Sequence, residues 1–300
     1  MSDKRCFKEL LQAGWNAGKF VCVGLDSELE KIPESARAVI EEDLPDMDRF
    51  DARVLHTLVN FNQRIVEATK NIVLTYKPNM AFYEAWGDVG LEALRETIIR
   101  IHEVAPDVPV ILDAKRADIG NTNAGYVQMA FEYCQADAIT VNPYLGMEAA
   151  QPFLDQKDKG VIVLCRTSNK GSGEFQGLGV SGDSVPGGHM LLYQYVAHRV
   201  SRYWNTNGNC ALVVGATYPG ELTEVRQIVG DVIPILIPGI GAQGGDVEAT
   251  VKAGRDSRGQ GMIINASRSI IFASSGPEFA EAARREAQKL HGLINQYRNA

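Results

Sequence analysis

The sequence predicts an α/β protein of the (β/α)8 TIM-barrel class, on three observations. Eight short runs rich in β-branched residues recur along the 300-residue chain, each followed by turn residues and a stretch of helical period. Most of these runs are continuously apolar, as strands buried on both faces must be. The length suits one barrel with insertions, which typically takes about 250 residues.

The strand runs, in order, are Phe20–Asp26, Ile72–Pro78, Val108–Lys115, Ala138–Pro143, Gly160–Asn169, Cys210–Thr217, Pro234–Ala242 and Gly261–Ile270. The first ends in Gly24-Leu25-Asp26 with no G-x-G-x-x-G turn, which argues against a doubly wound open sheet. Helical patterns cover Asp51–Lys70, Gly87–Ala105, Thr122–Gln135, Met147–Lys159, His189–Trp204, Gly220–Val229, Asp246–Ala253 and Pro277–Tyr297. The last of these has Pro277 where a helix can start, because the missing N–H is one the first turn leaves unused. No linker rich in Pro, Gly or Ser divides the chain, so residues 1–300 read as a single barrel domain. Two insertions are expected, near residues 27–50 and 170–188. The first is acidic around Glu41-Glu42-Asp43. The second holds seven glycines and lies between strand five and its helix, where a lid over a barrel site would lie.

Composition narrows the function. Thirty basic against 37 acidic residues give a net charge of −7, which disfavours nonspecific binding to nucleic acid or an anionic membrane. No apolar run approaches the ~20 residues of a membrane span. The start, Met1-Ser2-Asp3-Lys4-Arg5, leads into an amphipathic stretch without an apolar signal core, so a cytoplasmic location is expected. Cys6, Cys22, Cys134, Cys165 and Cys210 form no metal-binding spacing and read as reduced, mostly core residues. The five histidines fall in helical patterns and assemble neither a metal cluster nor a Ser-His-Asp triad.

The residues left for chemistry sit at the C-terminal ends of strands, where this fold builds its sites. Asp113 and Lys115 point to the same side of the third run by strand alternation, and Asp118 follows in the loop. Lys77 ends the second run and can approach them from the neighbouring strand. Such a set of alternating charges would keep a partly buried Lys protonated and available as a general acid. The last two strands lead into Pro238–Gly245 and Asn265-Ala266-Ser267-Arg268, the usual place for a substrate phosphate. There the glycines admit backbone N–H groups, and Arg268 adds a forked cation. Gln243 lies in the first of these loops. Asp26 ends strand one and Ser168 strand five; each could bind substrate or cap a helix.

The segment Asp113-x-Lys115-x-x-Asp118-Ile119-x-Asn121-Thr122 resembles the DxKxxDIxNT signature of the orotidine 5′-phosphate decarboxylase family. Agreement extends to Leu25-Asp26, Lys77-Pro78-Asn79, Thr167-Ser168-Asn169, Pro238–Gly245 and Arg268-Ser269, so it spans the barrel. In length the chain is similar to the longer bacterial members. The resemblance implies decarboxylation of orotidine 5′-phosphate to UMP in de novo pyrimidine biosynthesis, with no metal or organic cofactor. It implies that Lys115 protonates C6 and that Asp113 lies near the departing carboxylate. Lys77 and Asp118 would hold the charge array and touch the ribose hydroxyls. Asp26 would also bind ribose, Ser168 and Gln243 the pyrimidine and loop, and Arg268 the phosphate. The resemblance further implies a homodimer in which Asp118, Ile119 and Thr122 serve the partner's site. Two other readings stay open at this point. One is a metal-dependent phosphosugar decarboxylase of the same suprafamily, against which the cation Lys77 stands. The other is a non-catalytic phosphate-binding barrel, against which intact Asp113 and Lys115 stand.

Overall fold

The structure, a computed structural model, describes residues 5–38, 48–241 and 245–300. Eight parallel strands line the barrel: β1 Val21–Leu25, β2 Thr75–Pro78, β3 Ile111–Arg116, β4 Ala138–Val141, β5 Gly160–Arg166, β6 Cys210–Val214, β7 Ile235–Ile237 and β8 Met262–Ala266. Each lies within or one residue beyond its predicted run. Their neighbour order is β2-β1-β8-β7-β6-β5-β4-β3. Isolated parallel bridges Tyr76–Val110 and Asn79–Asp113 join the two ends of that order, and Met80 N donates to Asp113 O at 3.1 Å. The sheet therefore closes on itself as a (β/α)8 TIM barrel, with no free edge.

Helices alternate with the strands. Those on the first half are Arg49–Thr69, Gly87–Val104, Gly120–Val127 (running on through Tyr133) and Gly146–Leu154. Those on the second half are Leu192–Arg199 (running on through Trp204), Pro219–Val229, Val247–Gly254 and Phe279–Arg298. Asp48 caps the first of them by accepting from Phe50 N at 2.7 Å, and Asp246 caps the helix at Val247 through Ala249 N at 3.1 Å. An earlier helix, Phe7–Asn16, covers the N-terminal end of the barrel, where Trp15 Nε1 donates to Met262 O at 2.8 Å. On the outer face Phe61 stacks on Phe272 and Phe279, locking the helices after β1 and β8 together.

One predicted element divides. The pattern read as a helix from His189 begins as a strand, His189–Leu191, paired antiparallel with Gly179–Ser181, and the helix starts only at Leu192. Gly187 and Gly188, at φ 71° and 80°, turn the chain back for this hairpin. The segment after β5, expected from the sequence as an insertion, is thus folded, with a short helix at Gly173–Gln176 and the hairpin beyond it. Of the other insertion, residues 39–47 lie outside the described residues. No helix among the described residues is long and apolar enough to cross a membrane.

Candidate active site

At the C-terminal ends of the strands a cavity of about 470 Å³ opens. Its wall includes Asp26 after β1, Lys77 and Asn79 from β2 and its loop, Asp113 and Lys115 from β3, and Thr140 from β4. Thr167, Ser168 and Asn169 after β5, Pro238–Ile240 after β7, and Ser267 and Arg268 after β8 complete it.

The charges sit where β2 and β3 meet. Lys77 Nζ lies 2.9 Å from Asp113 Oδ2, and Lys115 Nζ lies 2.7 Å from Asp113 Oδ1. Burial works to raise the Asp113 pKa, but Lys77 and then Lys115 outweigh it and hold the carboxylate well below its ordinary range. For Lys77, burial works to lower the pKa, yet the carboxylates of Asp113 and Asp26 keep it above the usual lysine value. Lys77 is thus a fixed cation with a side chain 5% exposed, whereas the Lys115 side chain is 50% exposed and lines the cavity. Asp26 Oδ1 is buried with no hydrogen-bond partner among the described residues, leaving an acceptor beside the cavity.

The end of β3 departs from regular strand geometry. Lys115 has φ 49° and Ala117 φ 141°, conformations that cost a non-glycine residue of order 1–3 kcal/mol each. Strand alternation correctly puts Asp113 and Lys115 on one side, but a bulge rather than a flat strand delivers them.

On the phosphate side of the reading, Arg268 is exposed at the rim, and its guanidinium has no ion-pair partner among the described residues. Ser267 reaches this place only because residue 24 is glycine: a Cβ there would lie 1.9 Å from Ser267 Oγ. Gly239 and Gly241, at φ 107° and 81°, shape the loop after β7. Gln243 lies outside the described residues. Ser168 lines the cavity, its backbone seated against Gly215.

Asp118, Ile119 and Thr122 do not line this cavity, so within one chain the structure joins Lys77, Asp113 and Lys115 but not Asp118. The Asp118 carboxylate accepts from Ile119 N at 2.6 Å, and its backbone N donates to Asn123 Oδ1 at 2.7 Å. Ile119 is 60% exposed, and Thr122 is exposed beside it.

Sequence reasoning missed Thr140 and Gln176. Thr140 is the one hydroxyl in the buried β4 segment Ala138–Val141, and a buried hydroxyl must find a partner; that was the available signal. Gln176 comes from the insertion after β5. Its Oε1 accepts from Thr167 N at 2.9 Å and its Nε2 donates to Thr167 Oγ1 at 2.9 Å, so the insertion braces the cavity wall. The cysteines are free; burial pushes the Cys22 and Cys210 thiols up to about 12, the direction that disfavours the reactive thiolate.

Known proteins share this framework. The family model for the orotidine 5′-phosphate decarboxylase / HUMPS family matches residues 19–284. An orotidine 5′-phosphate decarboxylase of Ralstonia nicotianae is 47% identical over 294 residues, covering 98% of this chain and 99% of that one. Among solved structures, the OMP decarboxylase of Leishmania donovani superposes with a TM-score of 0.79 at 37% identity, covering 98% of this chain and 99% of its own. The UMP synthase of the same organism gives a TM-score of 0.81 at 38% identity; the match covers 99% of this chain and 57% of the longer one. A match of this extent, on a barrel of the same topology, makes the chain a member of the orotidine 5′-phosphate decarboxylase / HUMPS family.

Proposed function

We propose that this chain decarboxylates orotidine 5′-phosphate to UMP in pyrimidine biosynthesis, acting as a single barrel domain in the cytoplasm without a metal or organic cofactor. The observation that carries the reading is the Lys77–Asp113–Lys115 array at the mouth of the barrel. The bond from C6 of the pyrimidine to its carboxylate breaks, CO2 leaves, and the electron pair stays on C6. Lys115 stabilises that pair by its charge and then donates a proton from Nζ to C6. Asp113, kept ionised by its two lysines, lies beside the departing carboxylate. Lys77, Asp26 and Asp118 take the ribose hydroxyls, Ser168 and Gln243 the pyrimidine and the loop above it, and Arg268 the phosphate. Phosphate binding far from C6 can still assist the chemical step by closing loops over the substrate.

The second half of the proposal is a homodimer in which Asp118, Ile119 and Thr122 complete the partner's site. Its support is their position: they lie outside their own cavity, with Ile119 presented to solvent. The deciding assay follows loss of orotidine 5′-phosphate absorbance with EDTA present. Turnover under those conditions supports the reading. Turnover abolished by EDTA and restored by a divalent cation would overturn the metal-free reading, and no turnover in either condition would overturn the assignment of orotidine 5′-phosphate as substrate in favour of the phosphosugar decarboxylase or the binding barrel.

A further inference from the structure

We infer that Thr140 is a positioning residue for the decarboxylation chemistry, setting Asp113 and Lys115 through a single hydroxyl. The inference rests on the decarboxylase reading for its catalytic consequence. Across the β3–β4 pair, Leu112 is in register with Ile139 and Arg116 with Val141. Thr140 alone therefore stands opposite Asp113, Ala114 and Lys115, the residues of the bulge.

A hydroxyl offers one proton and two lone pairs. Thr140 Oγ1 accepts from Ala114 N at 3.0 Å and from Lys115 N at 2.9 Å. With both acceptor positions taken, its proton goes to Asp113 Oδ1, 2.9 Å away. The same carboxylate oxygen receives Lys115 Nζ at 2.7 Å, while Lys77 holds Oδ2. Thr140 thereby does two things at once. It gives adjacent backbone N–H groups a shared partner in the bulge, which secures Lys115 at φ 49°. It also fixes the carboxylate against which the Lys115 ammonium rests. Thr140 is 1% exposed, so water does not compete for the hydroxyl. Valine has the same shape without the hydroxyl. It would take the shared partner from both N–H groups and leave Asp113 with its two lysines as side-chain donors but without the hydroxyl that orients Oδ1.

The experiment compares Thr140→Val and Thr140→Ser with wild type, by steady-state kinetics on orotidine 5′-phosphate and by amide hydrogen exchange. In Thr140→Val, kcat is expected to fall about 10- to 100-fold, the scale of misplacing a reacting group, with KM changed less than about threefold. Exchange at Ala114 and Lys115 is expected to accelerate about tenfold or more, as each loses its partner. Thr140→Ser keeps the hydroxyl and should restore both readouts. The inference is overturned if Thr140→Val keeps wild-type kcat, if Thr140→Ser loses as much as Thr140→Val, or if protection at Ala114 and Lys115 is unchanged in Thr140→Val. Should Thr140→Val fail to fold, Thr140→Ala is read by the same criteria. Absence of turnover in wild type would instead sink the decarboxylase reading, and amide exchange would then decide alone whether the hydroxyl holds the bulge.

Discussion

Asp113 and Asp137 are buried carboxylates at opposite ends of the barrel, Asp113 near the C-terminal end of β3 and Asp137 just before β4. Burial works to raise both pKa values, and in both the neighbours win; hydrogen bonds from His102 and Arg5 bring Asp137 down to about 2. What differs is the use of their lone pairs. Asp137 accepts from Arg5 Nε at 2.9 Å and Nη2 at 3.0 Å, from Val110 N at 2.9 Å, and pairs with His102 Nε2 at 3.2 Å, with its side chain 0% exposed. Asp113 has three side-chain donors, Lys77, Lys115 and Thr140, and one of them is a lysine whose side chain is half exposed and lines a cavity.

Two arginines make the same contrast. Arg226, towards the N-terminal end, donates to the carbonyls of Gly254, Gly230, Ile233 and Gly261, and burial lowers its pKa to about 10. Arg268 carries its guanidinium at the cavity rim with no ion-pair partner among the described residues. A buried charge by itself marks no site. A charge whose hydrogen-bonding groups are all taken by the protein stabilises the fold, and one left facing a cavity is available to a ligand.

The sharpest way to break this contrast is Lys115→Ala. Turnover is expected to fall by at least about 10²-fold, the lower bound of general-acid catalysis, with little change in Tm because the side chain is half exposed. A variant keeping more than a hundredth of wild-type kcat would contradict the proton-donor role. Next comes Arg268→Ala. Losing a charge-assisted contact worth roughly 1.5–3 kcal/mol should cut kcat/KM for the nucleotide by about 10- to 150-fold. Orotidine, which lacks the phosphate, should be almost unaffected; equal losses on both substrates would remove Arg268 from the phosphate site.

A smaller but more diagnostic effect concerns the C-terminal face across two chains. If the proposed homodimer shares its sites across subunits, then on subunit exchange between inactive Lys115→Ala and Asp118→Ala proteins each hybrid dimer would have one doubly lesioned site and one intact site. Half of the dimers are hybrids, so about a quarter of wild-type activity should return. No recovery after verified exchange would show that Asp118 does not serve a partner's site.

The last prediction belongs to the N-terminal face and should leave catalysis alone. Asp137→Asn is expected to lower stability by about 1.5–3 kcal/mol at neutral pH while kcat per folded chain stays at the wild-type value. The folded-state pKa of Asp137 lies below its unfolded value. Its contribution is therefore present above about pH 4 and is lost as the pH falls towards about 2. Over that window the wild type should lose stability more steeply than Asp137→Asn in denaturant titrations. Parallel slopes would show that this carboxylate is not what supports the N-terminal end.

Much of the molecule was legible in the sequence because the signals are local. Continuous apolar runs announce strands buried on both faces, and eight of them alternating with helical periods announce the barrel. A charge at the C-terminal end of such a run can be placed at the mouth without knowing any contact, which is how Lys77, Asp113, Lys115 and Arg268 were found. Other features depend on which strands become neighbours and in what register. The turn back at Gly187 and Gly188 converts the start of a helical pattern into a hairpin. Gln176 reaches Thr167 only once the insertion after β5 has folded. Asp118, three residues past Lys115, lies outside the cavity, with its carboxylate accepting from the Ile119 amide. Thr140 is the clearest case. Its hydroxyl meets Ala114 and Lys115, 26 and 25 residues earlier, because the register between β3 and β4 shifts beside it. Periodicity encodes which face a residue takes, whereas a hydrogen bond between strands requires their relative offset, and that offset is decided only when the whole barrel closes.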